Sequence, residues 1–124
     1  MIHAKTDYFV PVLPSADIER DVKFYVDGLG FEKVFADTQY ALLRRQNLEL
    51  HLQWHADTLE DPLLGGSVVR LITTDVDKWF TVVSDRGVIR PNHIPKKTAW
   101  GTYEFGFFDL NKNSVFIVKK ESTR

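Results

Sequence analysis

Polar side chains with chemical potential are concentrated in the segment 48–55. Apolar and polar residues alternate strictly along it, which predicts a strand with two different faces. One face carries Leu48, Leu50, Leu52 and Trp54. The other carries Glu49, His51, Gln53 and His55. A carboxylate, an amide and two imidazoles on one face could line a ligand cavity or face solvent, and the pattern leaves both interpretations open.

Catalysis by these groups has little support in the sequence. His51 and His55 are four residues apart on one strand, so about 13 Å separates them and they cannot chelate one metal ion. Glu49 and Glu104 would form an acid–base pair only if the fold brought them together, which the sequence does not show. The chain has no cysteine, and it contains no Gly-x-Ser-x-Gly, phosphate-loop or His-Glu-x-x-His motif. We therefore expect structural or ligand-contacting roles for these side chains.

Aromatic side chains are the second candidate chemistry. Trp100 and Gly101 stand in an irregular stretch, residues 90–102, and long loops of compact domains often carry function. If the polar face of 48–54 lines a cavity, neighbouring strands add Phe116, Phe35 and Tyr40 to it. Such rings can stack on a planar ligand, which adds about 0.5–1.5 kcal/mol beyond the burial of area. For Phe35 and Tyr40 the alternative is a place in the core.

The elements that must position these residues repeat in the two halves of the chain. Asp17 caps a helical stripe that ends at Gly28 and Gly30, and a short strand follows. Asp75 opens a similar stripe that ends at Gly87. A β-rich run precedes each helix, at 8–13 and at 67–72, and strand candidates follow each one. The order is therefore βαβββ twice, which indicates an internal duplication.

Length and composition indicate a single α+β domain over residues 1–124. The 124 residues, 44% of them hydrophobic, suffice for one genuine core. We place module 1 at about 1–58 and module 2 at about 66–124, joined by a linker with Pro62 and Gly65-Gly66. A net charge of -1 without a large Lys/Arg cluster argues against a nucleic-acid partner. No apolar run of about 18 residues suggests a membrane partner, and the absence of cysteine fits the cytoplasm.

Several short motifs occur together in one order. They are Pro14-Ser15-Ala16-Asp17, Phe24-Tyr25, Leu29-Gly30-Phe31, Leu48-Glu49-Leu50-His51, Asp75-Val76-Asp77 and Trp100-Gly101-Thr102-Tyr103-Glu104-Phe105. In these motifs the chain resembles the glyoxalase/bleomycin-resistance/dioxygenase superfamily, also called vicinal oxygen chelate proteins. The resemblance implies two paired βαβββ modules that form a curved mixed sheet around a cavity, with the helices outside. At 109–113 the chain departs from the family's Asp-Pro-Asp-Gly-Asn, because Lys112 stands where glycine is usual.

The resemblance also implies where a metal would bind. Enzymes of the superfamily hold a divalent metal with four inward-facing side chains, and three of those positions fall here on Val10, Val68 and Phe116. Only Glu49 and His51 remain as candidate ligands, fewer than a catalytic metal requires. We therefore expect no metal and no cofactor. Strand alternation should instead make Val10, Val68 and Phe116 an apolar cavity floor.

Within the superfamily the chain is most similar to the bleomycin-resistance branch. That resemblance implies a homodimer that sequesters a planar drug or natural product, with each cavity at the junction of two chains and the first strand exchanged between them. Pro11 and Pro14 suit such an extended hinge. The resemblance gives the stacking role to Trp100, Phe35 and Tyr40, with Trp100 exposed in a loop that orders on binding. Further candidate ligand contacts are Gly101, Glu49, His51, Gln53, Glu104 and Phe116.

The charge of the ligand is left open by the sequence. Bleomycin-type ligands are cationic, and related clefts tend to be acidic, whereas this chain is nearly neutral. A negative rim could come from Glu49, Glu104, Asp57, Glu60 and Asp61. Arg70, on the same strand face as Val68, would oppose it. The alternative function is a metal-dependent glyoxalase or dioxygenase-type enzyme that uses His51 and Glu49 with Glu104 or His55.

Overall fold

Two βαβββ units follow one another along residues 3–121, the part of the chain that the computed structural model describes. The first unit consists of β1 (Val12–Ser15), α1 (Ile18–Leu29), β2 (Glu32–Ala36), β3 (Tyr40–Arg45) and β4 (Leu48–Trp54). The second consists of β5 (Val68–Ile72), α2 (Val76–Arg86), β6 (Lys96–Lys97), β7 (Thr102–Phe108) and β8 (Ser114–Lys120). The predicted fold class and the duplicated order are confirmed.

Each unit builds its own four-stranded mixed sheet. Sheet 1 has the order β1-β4-β3-β2 and sheet 2 has the order β5-β8-β7-β6. The first strand of each unit runs parallel to the last, and the other neighbours are antiparallel. The parallel pairing is possible because a helix provides the crossover between the two strands. The curved sheet implied by the resemblance is therefore two separate sheets in one chain.

The helices begin and end where local signals predict. The Asp17 side chain accepts a hydrogen bond from the backbone N–H of Arg20 (3.1 Å), and Gly30 ends α1 in the left-handed region at φ 78°. Gly87 ends α2 in the same way at φ 71°. Asp75 stands at the start of α2, yet its side chain makes no capping hydrogen bond. Within the described residues, neither helix is long and apolar enough to cross a membrane.

Both helices pack on the same side of the sheets, and the sheet face that each helix covers is called the inner face. Helix α1 contacts β2, β3 and β4, while α2 contacts β7 and β8, and the two helices touch each other. Phe24 is buried between the units, with its ring centroid 6.4 Å from that of Phe107. Inner-face residues of both sheets and the apolar stripes of both helices form one cluster. Each sheet therefore has an outer face, defined here as the face turned away from this shared core.

The segment 109–113 ties the second unit to the first. The Asp109 carboxylate accepts backbone N–H bonds from Asn111 and Asn113, each at 2.9 Å, and the Tyr25 hydroxyl donates to it at 2.7 Å. The Asn111 side-chain amide donates to the buried Asp21 carboxylate (2.7 Å). Burial, together with the neighbouring Asp109 carboxylate, raises the pKa of Tyr25 well above its ordinary value. This buried network fixes how α1 sits against the second unit.

Lys112 takes the left-handed conformation that the family usually gives to glycine. Its φ is 62°, and a side chain in this region costs about 1 kcal/mol. The turn is closed by hydrogen bonds that the backbone N–H groups of Asn111 and Asn113 donate to the Asp109 carboxylate.

Strand boundaries differ from the sequence predictions at three places. The first strand begins at Val12 instead of residue 8, because residues 3–11 have no strand beside them in the described part of the chain. Their one backbone hydrogen bond to a strand is donated by the His51 N–H to the Pro11 carbonyl (3.0 Å). The stretch Val88–Ile89 is not a strand: Ile89 is buried against Gly28, where an added Cβ would lie 2.5 Å from its Cδ1. Strand β6 lies inside the stretch that was expected to be irregular.

Candidate ligand-binding site

The polar face of β4 forms the centre of the outer face of sheet 1. Leu50 and Leu52 are buried in the core, and the alternation therefore turns Glu49, His51 and Gln53 outward. This confirms the predicted division of the strand into two faces. At its end Trp54 remains 43% exposed, so that ring is not covered by a helix as the apolar pattern suggested.

A hydrogen-bonded chain joins three of these side chains. The Tyr40 hydroxyl lies 2.7 Å from His51 Nδ1, and His51 Nε2 lies 2.7 Å from Glu49 Oε2. The other carboxylate oxygen, Oε1, is 3.9 Å from Arg44 Nη2 and accepts a bond from the Tyr8 hydroxyl at 3.4 Å. Both ring nitrogens of His51 are engaged, so neither has a free lone pair for a metal ion. The chain holds the imidazole in one orientation, and the His51 and Glu49 side chains are only 16% and 15% exposed.

Phe35 completes the outer face of sheet 1. It pairs with Leu42, which pairs with His51, so the three side chains lie in one row across the sheet. The Phe35 ring is 51% exposed. Tyr40 pairs with Gln53 in the next row. Phe35 and Tyr40 are therefore outer-face residues, and the alternative place in the core is wrong for both.

Phe116 and Arg70 mark the centre of the outer face of sheet 2. They are paired across β5 and β8, and Phe116 is paired in turn with Gly106 of β7. A Cβ on Gly106 would lie 2.8 Å from Cδ1 of Phe116, so the absence of a side chain there makes room for the ring. The Arg70 guanidinium lies over the same ring, with Cζ 5.4 Å from the centroid. Val68 is on this face as well and is 58% exposed.

Glu104 is nearly buried on the same face. Its Oε2 accepts hydrogen bonds from Arg70 Nη2 (2.8 Å) and from the Thr102 hydroxyl (2.6 Å). Burial by itself would raise the pKa of Glu104, but the bonds from Arg70 and Thr102, with the positive charge of Arg70, lower it below its ordinary value. Glu104 is therefore an ionised partner of Arg70 at neutral pH and has no free proton to give.

Trp100 lies at the tip of a hairpin and not in an irregular loop. Lys96 and Lys97 pair with Glu104 and Tyr103, and the backbone N–H of Thr98 donates to the carbonyl of Thr102 at 2.9 Å. Gly101 closes the turn in the left-handed region, at φ 88°. The indole is 70% exposed. The expected exposure of Trp100 is confirmed. The hairpin tip is already closed by backbone hydrogen bonds, so the structure does not support the expectation that this segment becomes ordered only when a ligand binds.

The predicted site residues fall into two groups on different sheets. Sheet 1 holds Phe35, Tyr40, Glu49, His51 and Gln53. Sheet 2 and its hairpin hold Trp100, Gly101, Glu104 and Phe116. Glu49 and Glu104 do not meet, because each is bonded to partners on its own sheet. The acid–base pair that the sequence left open is therefore not formed within one chain.

The predicted cavity floor is only partly assembled on these faces. Val68 and Phe116 lie on the outer face of sheet 2, whereas Val10 belongs to the extended segment before β1. Across residues 3–121, no three His, Cys, Asp or Glu side chains are grouped so that they could hold a metal ion.

The negative rim considered from the sequence is not available on the outer faces. Glu49 is bonded to His51, and Glu104 is bonded to Arg70. The remaining acids, Asp57, Glu60 and Asp61, lie in the linker between β4 and β5, outside both sheets. Sequence reasoning placed Arg70 on the correct face but missed its bond to Glu104. The sequence could hardly indicate this bond, because Arg70 lies on β5 and Glu104 on β7, and β8 lies between these two strands.

Comparison with known proteins gives one family over most of the chain. The profile of the Glyoxalase/Bleomycin resistance protein/Dioxygenase superfamily matches residues 5–115. A bleomycin resistance protein of Geobacillus stearothermophilus is 24% identical over an alignment of 120 positions, and the match covers 86% of this chain and 91% of the relative. A bleomycin resistance protein of Klebsiella pneumoniae is 26% identical over an alignment of 122 positions, and the match covers 94% of this chain and 94% of the relative.

Solved structures agree with this comparison. The bleomycin-binding protein of Streptomyces verticillus, crystallised with copper(II)-bleomycin, superposes with a TM-score of 0.81 at 25% identity and covers 95% of this chain and 99% of its own. The bleomycin resistance determinant encoded on transposon Tn5 has the same TM-score of 0.81 at 26% identity, covering 94% of this chain and 100% of its own.

Proposed function

Because the chain belongs to the glyoxalase/bleomycin resistance protein/dioxygenase superfamily, we propose that it binds and sequesters a planar drug or natural product of the bleomycin kind, without a metal and without converting it. The observation that carries the proposal is the pair of outer faces, each with an aromatic ring that is at least partly exposed beside fixed polar groups. Apolar walls with a few oriented polar groups are typical of small-molecule sites.

The hydrogen bonding of the polar groups favours binding over catalysis. A general base needs a nitrogen or carboxylate oxygen directed at the substrate, within about 3 Å of the proton it removes. Both nitrogens of His51 are engaged within sheet 1, and Glu104 is bonded twice within sheet 2. These groups are therefore suited to orienting a ligand, and they favour the non-enzymatic function.

A homodimer is part of the proposal. The centres of the two outer faces lie on separate sheets whose inner faces share one core, so a pocket that places the Phe35 ring opposite the Phe116 ring would take its second wall from another copy of the chain. Apolar side chains on both faces support this, with Val12 at 42%, Val68 at 58% and Phe108 at 56% exposure. Twofold symmetry would then create two equivalent pockets per dimer.

The segment before β1 supports an exchange of N-terminal arms. Tyr8 is 73% exposed and Phe9 is fully exposed, which is unusual for large aromatic residues of a free monomer. Pro11 precedes β1 and Pro14 lies within it, and both lack the N–H that a ladder would need. Exchange would bury both rings against the partner. A cytoplasmic location also remains a proposal, in line with a chain that contains no cysteine.

Isothermal titration with copper(II)-bleomycin tests the function. We expect saturable binding at micromolar or tighter affinity, with one ligand per chain, and recovery of the ligand unchanged by mass spectrometry after a long incubation. A chemically altered ligand would indicate an enzyme. Absence of binding to bleomycin and to a panel of planar natural products would overturn the proposal.

A further inference from the structure

We infer that the outer face of sheet 2 forms a subsite for a negatively charged substituent on the planar part of the ligand, with Arg70 as the residue that determines this specificity. The inference rests on the proposed function and names the charge of the group that this half of the site accepts. It follows from the position of Arg70, from the state of Glu104 and from the other charges of the face.

The guanidinium of Arg70 is fixed in place but only partly used. It lies over the Phe116 ring at 5.4 Å, and Nη2 donates to Glu104 at 2.8 Å. Among the described residues Glu104 is its one hydrogen-bond acceptor, although a guanidinium has five N–H donors. The side chain is 38% exposed. Its remaining donors are therefore accessible from the outer face at an orientation set by Phe116 and Glu104.

Glu104 does not supply a competing negative site. Its side chain is 6% exposed, and Arg70 and Thr102 cover the carboxylate. A cationic ligand group would have to displace Arg70 to reach it, which breaks a nearly buried ion pair. Glu104 therefore acts as a positioning residue that holds Arg70 over the ring.

The other charges of this face are also positive. Lys96 pairs with Glu104 and Lys120 pairs with Thr102, so strand alternation places both lysines on the side of Arg70. The outer face of sheet 1 has no such excess of positive charge, because Arg44 is paired with Glu32 on one side and with Glu49 on the other. The excess of positive charge is therefore on the outer face of sheet 2, which carries Arg70 and Phe116.

A planar ring that packs beside Phe116 brings its substituents next to Arg70. A carboxylate or sulfonate can accept two charge-assisted N–H bonds from the guanidinium edge; a neutral acceptor forms weaker bonds there, and an ammonium group accepts none. An ammonium group at the same position meets the positive charge of Arg70. The face therefore discriminates by charge while the ring supplies the common stacking contact.

Three anthracenes with the same ring system test the inference. Anthracene-9-carboxylate is the anion, 9-(aminomethyl)anthracene the cation and 9-(hydroxymethyl)anthracene the neutral control, each titrated by fluorescence at fixed ionic strength. We expect the carboxylate to bind roughly tenfold or more tightly than the amine, the size of effect typical of a charge-assisted hydrogen bond.

Variants assign the preference to Arg70. The double variant R70Q/E104Q removes both members of the ion pair, so no uncompensated charge is left buried, and it should bring the affinities of the carboxylate and the amine to within roughly threefold of each other. K23Q removes one positive charge from the exposed side of α1, remote from both outer faces, and should keep the wild-type preference. Thermal unfolding of each variant shows whether it is folded.

The outcomes separate this inference from the proposed function. If the neutral anthracene or copper(II)-bleomycin binds but the carboxylate has no advantage over the amine, the inference is wrong and the function stands. A preference that survives in R70Q/E104Q also overturns it. If neither copper(II)-bleomycin nor the neutral anthracene binds, both proposals fail.

Discussion

Trp100 is the residue on which the stacking interpretation depends. Its indole is 70% exposed at a hairpin tip, so truncation to alanine removes little buried area. Trp100→Ala should therefore keep the melting temperature within a few degrees of wild type, yet weaken ligand binding by about 2–4 kcal/mol if the ring is a binding hot spot.

Trp79→Ala is the matched control for that experiment. Trp79 packs against the core and carries the Arg45 guanidinium 4.8 Å from its ring centroid. Its truncation should cost about 3 kcal/mol of stability with little effect on affinity. Unchanged affinity in Trp100→Ala, or a loss of stability like that of Trp79→Ala, would show that Trp100 is not a stacking residue.

Glu104 provides a prediction on pH. Its pKa is lower in the folded protein, so ionisation stabilises the fold above the ordinary value of about 4.3, and this contribution is lost as the pH falls through the lowered pKa. Glu104→Gln should reduce the free energy of unfolding by about 1–2 kcal/mol at pH 7, because hydrogen bonds to an ionised group are lost.

The difference between wild type and Glu104→Gln should then shrink below about pH 4.5. Urea unfolding at pH 7 and at several values between about pH 3 and 5 measures this. Glu60→Gln, in the exposed linker, controls for the change of residue type. A difference that stays constant over the whole range would contradict the role of the ion pair with Arg70.

Among the elements, the segment 109–113 makes the most specific prediction. Lys112 has φ 62°, so replacement by glycine should stabilise the protein by about 1 kcal/mol as the strain is relieved. Lys112→Ala removes the same charge and keeps the strain, and it should leave the stability close to wild type. Chemical denaturation of both variants decides the point, and equal effects of the two substitutions would mean that charge and not backbone strain is involved.

Local elements could be predicted from the sequence, whereas partner-dependent ones could not. Helix α1 was predictable because Asp17 and Gly30 act within one turn of its ends. The start of β1 was not, since residues 8–11 have strand-forming composition but no neighbouring strand among residues 3–121. Strand β6 could not be predicted because the composition of Lys96–Lys97 does not favour a strand, and only pairing with Tyr103 and Glu104 makes it one.

The candidate site follows the same division. Alternation within β4 was enough to place Glu49, His51 and Gln53 on one face. The bond from His51 to Tyr40 depends on the register between β3 and β4, which a single sequence does not determine. The bond from Arg70 to Glu104 spans three strands and required the structure for the same reason.

At the scale of the whole molecule, we propose that each pocket takes one wall from each of two chains. Phe35→Ala removes the exposed ring from sheet 1, and Phe116→Ala removes the ring from sheet 2. Each substitution alone damages every pocket of its own homodimer, so both homodimers should bind copper(II)-bleomycin at least roughly tenfold more weakly than wild type.

The decisive measurement is the number of high-affinity sites in a heterodimer of these two variants, purified through two different affinity tags. One of its pockets combines both damaged walls, and the other combines both intact walls. We predict that titration with copper(II)-bleomycin finds one site of wild-type affinity per heterodimer. A heterodimer that binds no better than either variant homodimer, or a wild-type protein that sediments as a monomer at micromolar concentration while binding ligand, would contradict the account.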